Sequence, residues 1–92
     1  MSAEFEWDDE RSRVNFSNHG VTFDEAQGVF FDPHRLITRD DKHSVSEERW
    51  YCVGKVDGRI LTVRFTYRSG VIRIFGAGTW RKWRKLYEKT FR

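Results

Sequence analysis

The sequence lacks most features of a secreted, membrane-bound or metal-binding protein. Its one cysteine, Cys52, has no second cysteine with which to form an internal disulfide or a zinc site, and its apolar setting predicts a small core residue. No apolar run approaches the roughly 18 residues that span a bilayer. The N-terminus lacks the basic and hydrophobic regions of an export signal. We therefore expect a cytoplasmic protein that does not enter a membrane.

Motifs for metal ions and nucleotides are also missing. The three histidines, at positions 19, 34 and 43, do not have the spacing of a zinc-binding helix. The segment Gly76-Ala77-Gly78 is too short for a phosphate-cradling glycine loop and lacks the lysine of such a loop. We therefore expect no cofactor and no metal site, and we expect any catalysis to be independent of metal.

Length and composition favour one small domain over residues 1–92. A chain of 92 residues, 38% apolar and 16% aromatic, can bury one modest core and leaves no room for a second domain. Because phenylalanine and tryptophan bury a large area per residue, the core should be rich in aromatic side chains.

The charged residues are unevenly distributed along the chain. Residues 1–46 contain 5 Lys and Arg against 10 Asp and Glu, whereas residues 47–92 contain 12 against 4. The basic half favours a polyanionic partner, because each Lys or Arg that meets a phosphate releases condensed counterions. In the alternative interpretation, the two halves neutralise each other across the fold.

A stretch near the N-terminus predicts a helix, a tight turn, a second helix and a stop. Gly20 can adopt the left-handed conformation that ends a helix, and Thr22 with Glu25 has the pattern of a capping box for the next one. Val21 and Ala26 have the spacing of a hydrophobic staple across that cap.

Residue patterns predict the remaining elements, and together they indicate an α+β fold. In the first half of the chain we expect a short strand around Phe5 and Trp7, a helix that Asp8 caps and that runs to about Asn18, and a helix over residues 23–31 that Asp32-Pro33 ends. A strand over residues 36–40 and a loop over residues 40–44 follow. In the second half we expect strands over residues 50–54, 60–68 and 71–77, and a final helix capped by Thr79. The turns Asp57-Gly58 and Ser69-Gly70 join the last three strands into an antiparallel meander, which Gly76-Ala77-Gly78 ends. The sheet should contain three to four antiparallel strands plus the short N-terminal strand, with two helices before it and one after it.

The final helix is predicted to be amphipathic. Its apolar side consists of Trp80, Trp83, Leu86, Tyr87 and Phe91, and its basic side consists of Arg81, Lys82, Lys85, Lys89 and Arg92. Helical spacing places both tryptophans on the inward side, which favours core packing over base stacking. Arg81, Lys82 and Lys85 stay free to bind RNA or an acidic partner.

Strand alternation and hairpin pairing bring Arg64, Arg68 and Arg73 side by side on the exposed face of the sheet. Neighbouring guanidinium groups repel one another unless an anion lies between them, and residues 59–78 contain no acid. The cluster therefore favours phosphate binding, which could hold an RNA backbone and stabilise the charge that develops during strand scission. In the alternative, cross-strand acids neutralise these arginines, as on an ordinary sheet surface.

A second set of residues could supply proton transfer. Metal-free RNA cleavage needs a base for the 2′-hydroxyl proton and an acid for the departing 5′-oxygen, and His43 with Glu47, or with Glu48, can fill these roles. The alternatives are structural: His43-Ser44 would cap the loop, and Glu47 would pair with Arg49. His19, at a helix end, is interpreted as a capping or core histidine.

One set of motifs spans nearly the whole chain: Phe5-Glu6-Trp7-Asp8, Asn15, His19-Gly20-Val21, Phe23, Glu25-Ala26, Asp32-Pro33, His43-Ser44, Glu47, Arg49, Gly54, Gly58-Arg59 and Arg73-Ile74. In this combination the chain resembles the BrnT family of bacterial toxins. The resemblance implies a RelE-like fold and a metal-independent ribonuclease that cuts RNA and restrains translation. It also implies a BrnA antitoxin, a ribbon-helix-helix protein that binds DNA, with two toxins per antitoxin dimer.

The site roles follow from these motifs and from the resemblance. We assign catalysis to Arg64, Arg68, Arg73, His43 and Glu47, and RNA binding to Arg49, Arg81, Lys82 and Lys85. Many family members end the last strand with Arg-Ile-Ile-Ser-Ala-Arg, whereas this chain has Gly78 in place of the final Arg, a loss that Arg81 or Lys82 could offset. The alternative function is a non-catalytic nucleic-acid-binding or protein-binding module.

Overall fold

Residues 4–90 are described by the computed structural model of the protein. Their elements are β1 (Phe5–Glu6), α1 (Asp9–His19), α2 (Phe23–Ala26), a 3₁₀ helix (Gln27–Phe31), β2 (Leu36–Arg39), a 3₁₀ turn (Asp41–His43), β3 (Arg49–Val56), β4 (Arg59–Arg68), β5 (Val71–Gly78) and α3 (Arg81–Thr90). Residues 1–3, part of the stretch in which no export signal is predicted, lie outside the described residues, as do Phe91 and Arg92, which the sequence assigns to the predicted final helix.

The five strands form one mixed sheet in the order β1-β5-β4-β3-β2. The pairs β2-β3, β3-β4 and β4-β5 are antiparallel, which confirms the predicted meander, and Asp57 and Ser69 adopt positive φ at its two turns. The N-terminal strand β1 pairs in parallel with β5 through Phe5 and Ile72, a pairing that the sequence did not predict. The predicted α+β class is confirmed.

The turn chemistry between the first two helices is largely as predicted. Gly20 has a φ of 70° and donates its N–H to the Phe16 carbonyl at 2.8 Å, which ends α1. The Thr22 hydroxyl accepts from the N–H of Glu25 at 3.1 Å, which starts α2. The other half of the predicted capping box is wrong, because the Glu25 carboxylate pairs with Arg59 at 2.8 Å instead.

The predicted helix over residues 23–31 is α-helical only as far as Ala26 and continues as a 3₁₀ helix. Tertiary packing explains the change, because this segment lies directly on β3. A Cβ on Gly54 would come within 2.7 Å of the Val29 carbonyl oxygen, and one on Gly28 would come within 3.0 Å of Val56. The close approach of the two backbones thus overrides the α-helical pattern.

The core lies between one face of the sheet and the N-terminal helices. Its fully buried members include Val21, Phe23, Ala26, Cys52, Val63 and Phe65, which confirms the hydrophobic staple and the core position of the cysteine. Burial raises the pKa of the Cys52 thiol to about 12. The buried Asn15 amide ties α1 to β5, because it donates to the Ala77 carbonyl at 2.9 Å and accepts from the Ala77 N–H at 3.2 Å.

The predicted break at Gly76-Ala77-Gly78 is wrong, because β5 continues to Gly78 and pairs there with Thr62. Arg64 pairs with Gly76 and Phe65 pairs with Ile74, so Phe75 is an extra residue that forms a bulge. The glycines provide room for neighbouring side chains instead of ending the strand. A Cβ on Gly78 would lie 3.1 Å from the Trp80 ring.

Helix α3 packs across the other face of the sheet near one end. Tyr87 is buried as predicted and donates its hydroxyl to Asp32, whereas Leu86 is 43% exposed and does not belong to the predicted inward side. Trp80 and Trp83 are half-buried, so their prediction as core residues is only partly met. Within residues 4–90, no helix combines the length and the apolar character needed to cross a membrane.

Candidate active site

Strand alternation places a polar surface on the side of the sheet opposite the core. Its members are Arg49 and Tyr51 from β3, Arg64, Thr66 and Arg68 from β4, and Arg73 and Phe75 from β5. On the same strands Val63, Phe65 and Ile74 point into the core. The prediction of one core face and one basic face is therefore confirmed.

Two cavities open on this surface, and most of the predicted site residues line one or the other. The His43 cavity, of about 540 Å³, is lined by Lys42, His43, Tyr51, Arg64, Trp80, Lys82 and Trp83. The Arg68 cavity, of about 200 Å³, is lined by Asp8, Arg11, Glu47, Arg49, Thr66, Arg68, Arg73, Ile74 and Phe75. The three arginines predicted to form one cluster thus share a face of the sheet but not a single cavity, because Arg68 lies four positions after Arg64 on β4.

In the His43 cavity, a buried carboxylate orients the histidine. Asp40 precedes the 3₁₀ turn, and its Oδ2 lies 2.8 Å from Nδ1 of His43. Ser44 holds this turn in place, because its hydroxyl donates to the Asp40 carbonyl at 2.7 Å and accepts from the Arg49 N–H at 3.0 Å. The predicted capping role of this segment is therefore met by Ser44, which leaves the His43 ring half-exposed at the cavity.

The electrostatics of Asp40 favour its charged form. Burial acts to raise the pKa of this carboxyl, but the hydrogen bond and charge of His43, with a contribution from Tyr51, hold the pKa below its ordinary value. Burial and the nearby Asp40 charge raise the pKa of the Tyr51 hydroxyl. An ionised Asp40 accepts from Nδ1–H of His43 and so leaves Nε2 as the basic nitrogen of the neutral ring.

Arg64 is a cation without a carboxylate partner among the described residues. Its Nε is buried and has no hydrogen-bond partner within residues 4–90. The guanidinium carbon lies 5.2 Å from the centre of the Phe75 ring, and the absent side chain of Gly76 leaves room for Arg64, whose Cδ would lie 3.2 Å from an added Cβ. Buried polar groups normally have a hydrogen-bond partner, so this guanidinium is a candidate for ligand binding. The geometry of a guanidinium is suited to binding an oxyanion.

Aromatic rings and a lysine complete the wall of the His43 cavity. Tyr51 pairs with Arg64 across the strands, and its ring lies 4.7 Å from the Trp83 ring. Lys82 Nζ lies 4.9 Å from the centre of the Trp83 ring. Of the two basic residues predicted to offset Gly78, Lys82 lines this cavity and Arg81 does not.

The other predicted residues of the final helix and the predicted histidine at the end of α1 lie elsewhere. Arg81 and Lys85 are exposed and line neither cavity. His19 is the last residue of α1 and is exposed, with its ring 5.4 Å from that of Trp80, so its prediction as a core histidine is wrong.

In the Arg68 cavity, carboxylates from other elements meet the arginines. Glu47 precedes β3 and accepts from Arg68 at 3.3 and 3.4 Å, and it lies 3.9 Å from Arg49. Glu6 of β1 pairs with Arg73 at 3.5 Å. The alternative interpretation of Glu47, an ion pair with Arg49, therefore has support. Glu47 also lines a different cavity from His43, although the sequence analysis grouped the two residues.

Sequence reasoning missed Asp40 and Tyr51. The spacing of Asp40 and His43, three residues apart, is a signal that a turn could bring them together. The position of Tyr51 two residues after Arg49 places it on the same strand face. Among the described residues, no three His, Cys, Asp or Glu side chains gather in a way that could hold a metal ion.

A small α+β protein that presents arginines on a sheet face, with a carboxylate-oriented histidine on the 3₁₀ turn beside it, has the chemistry of a protein that acts on phosphodiesters. A family model described as the ribonuclease toxin BrnT of type II toxin-antitoxin systems matches residues 7–84. The chain therefore belongs to the BrnT family of ribonuclease toxins, and this membership implies ribonuclease activity and an antitoxin partner. A search of curated proteins finds no match.

Proposed function

We propose that this protein is a metal-independent endoribonuclease toxin that inhibits translation by cutting RNA in the His43 cavity. The observation that carries the proposal is the unpaired Arg64 guanidinium in the same cavity as a histidine that Asp40 orients. His43 can take a proton from the 2′-hydroxyl and return it to the 5′-oxygen, and Arg64 can stabilise negative charge on the phosphate. The arrangement of the sheet and helices supports a single RelE-like domain.

The proposed reaction begins at the ribose 2′-hydroxyl. His43 Nε2 takes the 2′-proton, the 2′-oxygen forms a bond to the adjacent phosphorus, and the bond from phosphorus to the 5′-oxygen breaks. The proton on the imidazolium then passes to the departing 5′-oxygen, so that one histidine closes the proton balance. The products are a 2′,3′-cyclic phosphate and a 5′-hydroxyl.

Arg64 acts on the phosphate during this step. Negative charge builds up on the non-bridging oxygens as the phosphorus becomes five-coordinate, and a guanidinium already in place stabilises it without reorganisation. Lys42 and Lys82 add positive charge at the cavity rim, while Trp80 and Trp83 offer ring surfaces on which bases can stack.

RNA outside the cavity would meet further basic residues. Arg49, Arg81 and Lys85, the residues to which the sequence motifs assign RNA binding, would contact the RNA backbone away from the reacting phosphate. We further propose that a BrnA-type ribbon-helix-helix antitoxin neutralises the protein in the cytoplasm, with two toxins per antitoxin dimer and with DNA contacted only through the antitoxin. The family match and the sequence motifs support this partner.

The direct test is cleavage of a labelled RNA, alone with EDTA and, separately, within a translating extract. We expect fragments with 2′,3′-cyclic or 3′-phosphate and 5′-hydroxyl ends. The variant His43→Gln should cut about 10²- to 10⁴-fold more slowly, the usual contribution of a general base. His34→Gln, a substitution in the loop after Asp32, is the matched control and should retain activity.

Three results would contradict the proposal: intact RNA in both settings, cleavage that EDTA abolishes, or fragments with 5′-phosphate ends. RNA that is bound but never cut would favour the alternative, a non-catalytic binding module. The extract is included because a toxin that acts only on translating ribosomes would leave naked RNA intact.

A further inference from the structure

The Arg68 cavity holds more positive charge than the proposed reaction uses. Arginines from four elements line it: Arg11 of α1, Arg49 of β3, Arg68 of β4 and Arg73 of β5. The acidic groups on its wall are Asp8 and Glu47. Asp8 is engaged in capping α1, where its Oδ1 accepts from the Arg11 N–H at 3.0 Å. Glu6 pairs with Arg73 at 3.5 Å, and Glu47 is the carboxylate that pairs with Arg49 and Arg68.

The ion pairs of Glu47 with these arginines are long and therefore weak. Its oxygens lie 3.3 and 3.4 Å from Arg68 and 3.9 Å from Arg49, longer than the roughly 2.7 to 2.9 Å of a strong charge-assisted hydrogen bond. The Arg68 side chain is 52% exposed, so water screens this pair. A phosphate group, with more acceptor oxygens and more charge, could displace the carboxylate.

The segment before β3 is held through its backbone, and the polar contacts of the Glu47 side chain are with arginines. The Thr66 hydroxyl donates to the Glu48 carbonyl at 2.6 Å, which fixes the segment before β3 at the edge of the cavity. Among the described residues, the hydrogen bonds and ion pairs of the Glu47 side chain are with Arg49 and Arg68. A Glu47 side chain that left the cavity would give up these ion pairs, while the Thr66 hydrogen bond would still hold the backbone.

The two cavities lie along one line on the sheet. Arg64 and Arg68 lie on the same face of β4, four residues and thus about 13 Å apart. Phe75 lies between them, with the guanidinium carbons of Arg49 and Arg64 at 4.6 and 5.2 Å from its ring centre. One extended strand of RNA could thus place one phosphate at Arg64 and another at Arg68 while passing over this ring.

We propose that the Arg68 cavity binds a second phosphate of the RNA strand and that Glu47 occupies this site in the free protein. The inference rests on the proposed function only in that RNA is the ligand. It gives Glu47 the role of a competitor for the site, where the sequence had predicted a catalytic role.

The test measures binding apart from cleavage. A fluorescent single-stranded RNA with every 2′-hydroxyl methylated cannot be cut, and its affinity can be followed by anisotropy at fixed salt. We expect Glu47→Gln to bind this RNA about three- to tenfold more tightly, because a negative charge is removed from a phosphate site. The matched control is Glu25→Gln, which also breaks a partly exposed ion pair with an arginine, Arg59, and should leave binding unchanged.

A double variant locates the effect. When Arg68→Gln is already present, we expect Glu47→Gln to add little affinity, since the site that Glu47 competes for is lost. Thermal unfolding of each variant confirms that the fold is retained.

The proposal is overturned if Glu47→Gln leaves RNA affinity unchanged or lowers it, if Glu25→Gln gives the same gain, or if the gain survives Arg68→Gln. A gain for polyglutamate but not for RNA would assign the cavity to an acidic protein partner and would also overturn it. Failure of the wild-type protein to cut unmodified RNA would instead remove the proposed function, while the methylated RNA still tests this site.

Discussion

At the scale of single residues, similar arginines on one sheet face have different environments. Arg68 and Arg73 meet Glu47 and Glu6, whereas Arg64 has no carboxylate partner among the described residues and has a buried, unsatisfied Nε. A polar atom left in this state costs free energy in the free protein. The cost is consistent with a residue whose partner is a ligand, and this distinguishes Arg64 as the proposed catalytic arginine.

We predict that Asp40 acts as a positioning residue whose effect appears in kcat. Replacing Asp40 by Asn removes the charged group that accepts from Nδ1–H of His43 and orients the ring. We expect kcat for RNA cleavage to fall about 10- to 100-fold, part of what a general base contributes, with KM little changed. Steady-state kinetics on a short RNA measure both constants.

The control for this variant is Asp41→Asn, because Asp41 is exposed and pairs with Arg39 at 3.3 Å. It should retain full activity. If Asp40→Asn raised KM alone, or lost activity only in proportion to lost folded protein, Asp40 would have no positioning role.

Residue types could be predicted from the sequence, but their contacts could not. His43 and Arg64 were candidates because their chemistry suits RNA cleavage, and they do line one cavity. The contact between Asp40 and His43 depends on a 3₁₀ turn within a polar segment that the sequence indicates only as a loop. The grouping of Glu47 with His43 failed because proximity in sequence does not determine which side of a strand end a side chain takes.

At the scale of elements, Asp32 connects three parts of the fold. Its carboxylate accepts from the Lys55 N–H of β3 at 2.7 Å, from the His34 N–H at 2.8 Å and from the Tyr87 hydroxyl of α3. Because α3 carries Trp83 and begins directly after Trp80, this junction also helps to hold the wall of the His43 cavity.

The junction at Asp32 makes stability depend on acid pH. Burial acts to raise the pKa of Asp32, but the hydrogen bonds from Tyr87, Lys55 and His34 outweigh it and hold the pKa below the ordinary 3.8. The ionised group therefore contributes stability that is fully present above pH 3.8 and is lost as the pH falls through the lower pKa of the folded state.

We expect Asp32→Asn to lower the free energy of unfolding by about 1–3 kcal/mol at neutral pH, the usual cost of disrupting buried hydrogen bonds to a charged group. The difference from the wild-type protein should shrink as the pH falls well below 3.8. Urea unfolding across this pH range measures both effects. Asp24→Asn, at an exposed position, is the control, and a difference that stays constant with pH would contradict this role for Asp32.

The elements themselves were largely predictable because their signals are local. Gly20 and Thr22 mark helix ends, and Asp57-Gly58 and Ser69-Gly70 mark the turns of the meander. The parallel pairing of β1, the 3₁₀ helix of residues 27–31 and the continuation of β5 depend on which backbones meet in space. A sequence pattern does not contain that information.

At the scale of the whole molecule, both interpretations of the uneven charge have support. Among the described residues, three ion pairs link a residue of the acidic half to a residue of the basic half. They are Arg73 with Glu6, Arg59 with Glu25 and Arg39 with Glu48. Arg64 and Lys82 have no such pair among the described residues, and both line the His43 cavity. Neutralisation is therefore partial, and the positive charge that remains lies where a phosphate is proposed to react.

The two cavities on one sheet face have different proposed roles. In the proposed function the His43 cavity performs the chemistry, and in the further proposal the Arg68 cavity binds another phosphate of the strand. This division predicts that arginines only four positions apart on β4 differ in which kinetic constant they affect, because one acts in the transition state and the other in binding.

The measurement that tests this claim most directly compares Arg64→Gln with Arg68→Gln in steady-state cleavage of one RNA, with Arg59→Gln as the control outside both cavities. We expect Arg64→Gln to lower kcat by about 10²- to 10³-fold with KM nearly unchanged, the typical effect of losing a group that stabilises developing oxyanion charge. Arg68→Gln should raise KM and largely preserve kcat. A full kcat in Arg64→Gln, or an equal loss of kcat in Arg68→Gln, would contradict the assignment of catalysis to the His43 cavity.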